Sequence, residues 1–180
     1  MRIIAGSHKG ARIFAPKGPD TRPTGDRVRE AVFNLTGPVE GLHVLDLYAG
    51  SGAMGLEALS RGAASATFVE ADRAAAETIV KNLDKLGLSG ATVLREDAAR
   101  KLAADAGAGR RYDLVLIDPP YRMLPRILPM LATHLPAVVE PDGIVVVESD
   151  AREEPELPLP KRTTRRYGSA RVTVFEGLQP

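Results

Sequence analysis

Leu114-Val115-Leu116-Ile117-Asp118-Pro119-Pro120-Tyr121 is the stretch on which the architecture turns. Its first four residues are aliphatic without a polar interruption, as in a strand buried on both faces of a parallel sheet. Two prolines then stop the chain from continuing as strand or passing into helix, so it leaves the sheet extended and stiff. Asp118 and Tyr121 are thereby held at the carboxyl end of a strand, where open α/β sheets bind ligands. Alone, the tetrapeptide is equally a proline-terminated strand with an incidental tyrosine. Its surroundings decide.

Outward from this strand the pattern alternates. Residues 43–48 read as strand and 51–61 as helix ending at Gly62. Residues 67–69 and 74–86 repeat the pair, closed by Gly87. Residues 91–94 form a third strand, followed by a helix near 98–104 and a glycine-rich loop at Gly107-Ala108-Gly109. A proline-punctuated helix over 124–134 precedes a fifth strand at 143–148. Strands at 163–167 and 171–175 then flank Gly168-Ser169-Ala170 with no helix between them, which permits only an antiparallel pair. The expected fold is a mostly parallel sheet with helices on both faces, ending in an antiparallel hairpin.

The N-terminus has a different character. Arg2-Ile3-Ile4-Ala5 and Ala11-Arg12-Ile13-Phe14 flank a glycine-bounded loop carrying Lys9, and predict a hairpin. Residues 15–23 hold three prolines and read as a linker, after which Thr24-Gly25-Asp26-Arg27 opens a helix that stops at Gly37-Pro38. Net charge is only +1 over 180 residues, yet residues 1–29 hold seven basic against two acidic side chains. Residues 161–171 hold five basic and no acidic ones, so the middle of the chain is acidic. Basic terminal segments of this kind fit a polyanion partner. Arg22, Arg27 and Arg29 crowd a helix N-terminus, where cations are disfavoured unless an anion is present; Asp26 and Glu30 are the internal alternative. With 44% hydrophobic and 26% charged residues the chain is globular in composition. No signal peptide or membrane span is legible, and the simplest location is the cytoplasm. The absence of cysteine removes disulfides, thiolate metal sites and cysteine nucleophiles, and the three scattered histidines offer no metal site.

Gly50-Ser51-Gly52-Ala53-Met54-Gly55 follows the first strand, with Glu70 twenty residues after Gly50. Glycines let a ligand touch backbone, and a carboxylate at the end of the second strand takes a ribose diol in two hydrogen bonds. The letters alone also fit a nicotinamide dinucleotide. Asp46 argues otherwise, because a pyrophosphate beside it meets charge repulsion. A ligand bearing a cation fits better: S-adenosylmethionine has an ammonium, a sulfonium, a ribose and an adenine, and no phosphate. Asp97 is placed to accept from the adenine amine, though it equally suits a helix N-cap.

Together, Val44 to Gly52, Glu70, Asp97 and Asp118-Pro119-Pro120-Tyr121 resemble a class I S-adenosylmethionine-dependent amino-methyltransferase. Arg2-Ile3-Ile4-Ala5-Gly6, Arg22-Pro23-Thr24 with Asp26 to Glu30, and Gly55 to Gly62 narrow the resemblance to the RsmD family, which methylates the guanine-N2 amine of bacterial small-subunit (16S) rRNA. The resemblance implies a Rossmann-like, seven-stranded α/β fold at 39–180, with a basic hairpin-helix extension at 1–38 that contacts RNA. It implies a cofactor site of Asp46, Tyr48, Gly50, Ser51, Gly52, Glu70, Asp97 and Ala98. Catalysis falls to Asp118, Pro119, Pro120 and Tyr121, and RNA contact to Lys9, Arg12, Arg22, Thr24, Arg27 and Arg29. The implied partner is 16S rRNA within a small-subunit assembly particle, met by a monomer without metal. Acceptors on both amine hydrogens free the nitrogen lone pair for in-line attack, with Tyr121 stacking on the base. The cofactor and Asp-Pro-Pro-Tyr motifs also admit DNA amine and protein glutamine methyltransferases. A non-catalytic ribosome-assembly protein is the alternative of a different class.

Overall fold

The computed structural model describes residues 1–15 and 25–180. Its elements are α1 (Asp26–Thr36), β1 (His43–Leu47), α2 (Ala53–Ser60), β2 (Ser65–Val69), α3 (Arg73–Leu86), β3 (Ala91–Leu94), α4 (Ala98–Ala108), β4 (Tyr112–Ile117), α5 (Leu124–Val138), β5 (Val139–Asp150), β6 (Lys161–Tyr167) and β7 (Ala170–Glu176). A short 3-10 turn, Tyr121–Met123, leads into α5. The sheet runs β3-β2-β1-β4-β5-β7-β6. Strands β1 to β5 pair in parallel, and β7 pairs antiparallel with both β5 and β6. The expected terminal hairpin is present, but it inserts: β7 lies inside and β6 forms the edge. Strand β7 is therefore the one reversed strand among the described residues.

The aliphatic run of β4 shows how one sequence period builds two cores. Leu114 and Leu116 enter a cluster with Val32, Phe33, Leu56, Leu59, Ile79 and Leu83, so they face α1, α2 and α3. Val115 and Ile117 enter the opposite cluster with Leu102, Leu131, Leu135 and Val138, facing α4 and α5. Alternation across the pleat sends successive residues to opposite faces, so a strand covered on both sides must be apolar throughout. Strand β1 sits between β2 and β4, and the crevice where the chain's order reverses opens at their carboxyl ends.

Several boundaries differ from the sequence reading. The N-terminal hairpin is short: one antiparallel bridge, Arg2 with Arg12, flanked by backbone hydrogen bonds from Ile3 to Ala11, Gly10 to Ile3 and Ile13 to Met1, with Ile3 and Ile13 turned into the α1–α3 core. Gly107 and Ala108 belong to α4, whose left-handed end falls at Gly109; the two earlier residues do not break the helix. The prolines of 118–120 do not hold the chain extended for long, since Pro120 leads directly into the 3-10 turn and α5 follows. Helix α1 begins after Gly25 without a side-chain cap.

Helix α2 is buried on every side, which an eight-residue helix achieves only if something covers its outer face. The N-terminal segment does so. The Glu57 carboxylate, fully buried, accepts from the Ile4 and Ala5 amides at 2.8 and 2.9 Å and from Arg61 Nε at 2.8 Å. Ser60 Oγ donates to the Ala5 carbonyl and accepts from His8 N. Gly6, at φ 84°, passes so close that a Cβ would fall 1.8 Å from the Ser60 carbonyl oxygen.

Candidate active site

Asp46, next to last in β1, is only 1% exposed, and its Oδ2 accepts from the Gly55 amide at 2.9 Å in the first turn of α2. Burial drives its pKa well above the ordinary carboxylate range; the Gly55 N–H opposes this, while the charges of Asp118 and Glu70 add to it. The chain then turns sharply. Tyr48 sits at φ 59°, a left-handed conformation that costs a non-glycine residue about 1–3 kcal/mol and clusters at functional sites. Burial, then the Asp97 charge, lifts its hydroxyl to about 12, so it remains a neutral donor. Gly55 is required for proximity: a Cβ there would lie 2.3 Å from Phe68 Cε1 and 3.0 Å from Asp46 Oδ2.

Glu70 braces the turn from the next strand. Its Oε2 accepts from the Gly50 amide and its Oε1 from the Asp72 amide, each at 2.8 Å. Asp97 caps α4, with Oδ1 accepting from the Arg100 amide at 3.0 Å, and it also lines the cavity. Both sequence readings of Asp97 are therefore compatible with its position.

One cavity of about 1310 Å³ joins the two motif sets: Asp46, Tyr48, Gly50, Ser51, Glu70, Asp97 and Ala98 line it together with Asp118, Pro119, Pro120 and Tyr121. That exceeds the roughly 300–1,000 Å³ of a single-ligand pocket and leaves room for two reactants. Gly52 adjoins the lining as the left-handed residue that starts α2. The carboxylates of Asp46, Glu70, Asp97, Asp118 and Glu148 give the interior a negative potential suited to a cationic ligand. Exposed Arg122 and Arg126 lie at the mouth. Tyr121 Oη donates to Glu148 Oε1 at 3.0 Å, which fixes the ring against β5. Among the described residues no group of three His, Asp or Glu side chains forms a metal-binding cluster, and no helix is long and apolar enough to cross a membrane.

The basic residues separate. Lys9, Arg12 and Arg27 are exposed. Arg29 is not: its side chain is fully buried and pairs with Asp26 at 3.1 Å and Glu57 at 3.7 Å, and it donates to the Arg2 carbonyl. This corrects the reading of Arg29 as a phosphate contact; of the internal partners expected, Asp26 is found, while Glu57 takes the place of Glu30, which is exposed. Burial pulls its pKa down and the Glu57 and Asp26 charges pull it back up. Arg22 and Thr24 lie outside the described residues. Near the C-terminus, Arg171 is buried against Glu154 and the Ala151 carbonyl, leaving Arg165 and Arg166 exposed on the edge strand. Glu148, Arg122 and Arg126 line the cavity and are not among the site residues read from the sequence. Glu148 carried one usable signal, its place at the carboxyl end of an expected strand.

A family model described as "Conserved hypothetical protein 95" matches residues 1–176. The chain belongs to the RsmD family. This RsmD-family chain is 40% identical, over 98% of both chains, to the Bacillus subtilis protein named "Putative rRNA methyltransferase YlbH". It is 46% identical over 123 residues to Escherichia coli K12 "Ribosomal RNA small subunit methyltransferase D", covering 68% of this chain and 61% of that one. A solved Thermus thermophilus structure described as a hypothetical protein superposes with TM-score 0.84 at 32% identity, covering 98% of this chain and 99% of its own. The sheet is thus that of the class I methyltransferases, reached by an RsmD-family sequence.

Proposed function

We propose that this protein methylates small-subunit (16S) rRNA, transferring the methyl group of S-adenosylmethionine to the exocyclic N2 amine of a guanine by in-line displacement. The observation that carries the reading is that the glycine turn with Asp46, Glu70 and Asp97 shares one cavity with Asp118-Pro119-Pro120-Tyr121. The residues fit the cofactor: a buried, charge-strained carboxylate at Asp46 gains from a cationic partner, and Gly55 keeps the backbone within reach. Asp46 and the turn hold the amino acid head, Glu70 the ribose, and Asp97 the adenine amine. When bound, S-adenosylmethionine supplies a methyl group on a sulfonium leaving group.

The remaining work belongs to the chain. Asp118 and the Pro119 carbonyl accept from the two amine hydrogens, so the nitrogen lone pair is withdrawn from the ring and aimed at the methyl carbon, and the surplus proton left on the methylated nitrogen passes through Asp118 to solvent. Tyr121, held by Glu148, stacks on the base. The acidic interior repels phosphate and admits only a base turned out of its stack. Exposed Lys9, Arg12 and Arg27, with Arg22 and Thr24, meet the backbone outside, so RNA affinity falls with salt. Folded RNA is recognised largely by shape, which favours a folded ribosomal particle as the substrate that supplies specificity.

Tritiated methyl transfer into undermodified small subunits, followed by nucleoside mapping, tests the proposal. Label on guanine N2, abolished by Asp118→Ala while RNA binding persists, is the expected result. Label on adenine or on protein, or no label, refutes it.

A further inference from the structure

An Asp-Pro-Pro-Tyr clamp grips an amine without naming the ring that carries it, since adenine, cytosine and guanine all bear one. Glu148 is placed to make that choice. It lies near the carboxyl end of β5, is 6% exposed, and lines the cavity. In the β4–β5 register Ile117 pairs with Val147, so Asp118 and Glu148 each follow the same rung by one residue. Two carboxylates thus stand side by side at the carboxyl ends of neighbouring strands, one on the clamp and one buried beside it. Glu148 Oε1 already accepts from Tyr121 Oη at 3.0 Å, and a carboxylate offers about four lone-pair sites in all.

The partner of two adjacent carboxylates is an edge with two adjacent donors. Guanine presents the N1–H beside the N2 amine on its Watson–Crick edge. Adenine and cytosine present an amine beside a bare ring nitrogen, whose lone pair would face the second carboxylate at a repulsive distance. Uracil has a ring N–H but no amine to methylate. We propose that Glu148 accepts the guanine N1–H while Asp118 and the Pro119 carbonyl hold the N2 amine, so that the paired carboxylates of β4 and β5 select guanine. The proposal rests on the methyl-transfer reading above and adds the residue that specifies the base. Glu148 acts a second time through Tyr121, because the carboxylate that reads the ring edge also orients the ring that stacks on its face.

The test compares small-subunit particles carrying guanine or 2-aminopurine at the methylated position. 2-Aminopurine keeps the N2 amine but has an acceptor at N1. Wild-type protein should prefer guanine in kcat/KM by about tenfold to a hundredfold, the range expected for one well-placed polar pair. Glu148→Gln supplies an N–H that can donate to the N1 acceptor, so the guanine to 2-aminopurine ratio should fall at least tenfold. A cooperative thermal melt, with S-adenosylmethionine binding still detectable by calorimetry, shows that the variant is folded. The ratio is independent of the active fraction. An unchanged ratio, with guanine and 2-aminopurine methylation reduced in proportion, overturns the assignment and makes Glu148 a support for Tyr121 alone. If wild type methylates neither base, the underlying function fails with it.

Discussion

Substituting asparagine for Asp46 separates what its charge costs the fold from what it gives the ligand. The carboxylate is 1% exposed, accepts from the Gly55 amide, and feels the like charges of Asp118 and Glu70. Its native pKa is therefore raised above the unfolded value of about 3.9. The sign follows from proton binding. At pH above the raised native value both states are ionised, and the folded state bears the full cost of the buried charge. As pH falls through that value the folded state takes up its proton first, so this group's contribution to stability rises until the unfolded value is reached. Asp46→Asn removes the charge and keeps an oxygen for Gly55. The ligand-free variant should melt at or above the wild-type temperature at pH 8, and the difference should shrink as pH falls toward the ordinary carboxylate range. Cofactor binding should move the other way. Losing a hydrogen bond to a charged group costs about 1.5–3 kcal/mol, or roughly tenfold to over a hundredfold in Kd. Differential scanning calorimetry from pH 4.5 to 8.5 and titration with S-adenosylmethionine read the two effects. A ligand-free variant that melts well below wild type at pH 8 would refute the account of Asp46 as a strained carboxylate. Unchanged cofactor affinity would show that the ammonium binds elsewhere.

Two further substitutions probe the scaffold behind the site. Gly55→Ala places a Cβ 2.3 Å from Phe68 Cε1, so α2 must retreat from Asp46; overpacking of this kind costs about 1–3 kcal/mol and should lower both the melting temperature and cofactor affinity. Unaltered cofactor binding in a destabilised Gly55→Ala protein would mean that the helix N-terminus does not touch the ligand. Glu57→Gln leaves buried Arg29 facing a neutral group and weakens the anchor of the Ile4 and Ala5 amides. Breaking a buried pair in this way typically costs about 3–5 kcal/mol, readable by urea denaturation, with faster hydrogen exchange at residues 4 and 5. A loss under about 1 kcal/mol would show that Asp26 and the Arg2 carbonyl suffice to hold Arg29.

Much of the fold follows from short-range pattern. The aliphatic run 114–117, the glycine turn at 50–55 and the stops at Gly62 and Gly87 mark strand and helix because burial on two faces, positive φ and chain termination are each local demands on residue type. The cavity's two acidic motifs were legible for the same reason, since each sits at the end of a recognisable strand. At 107–109 the glycine pair favours a loop locally, but the neighbouring turns of α4 override that weak preference and carry the helix to Ala108.

Arg29 and Glu148 mark the other limit. In the sequence Arg29 is one basic residue among seven near the N-terminus, and only the packing of α1 against α2 and the first strand-like segment shows that it is enclosed with Glu57, twenty-eight positions away. Glu148 looks like any polar residue ending a strand until the β4–β5 register sets it beside Asp118. Periodicity reports which side of its own element a residue faces. Which other element lies opposite, and so whether a charge meets water, a partner or a substrate, is decided by contacts between distant segments that no local pattern contains.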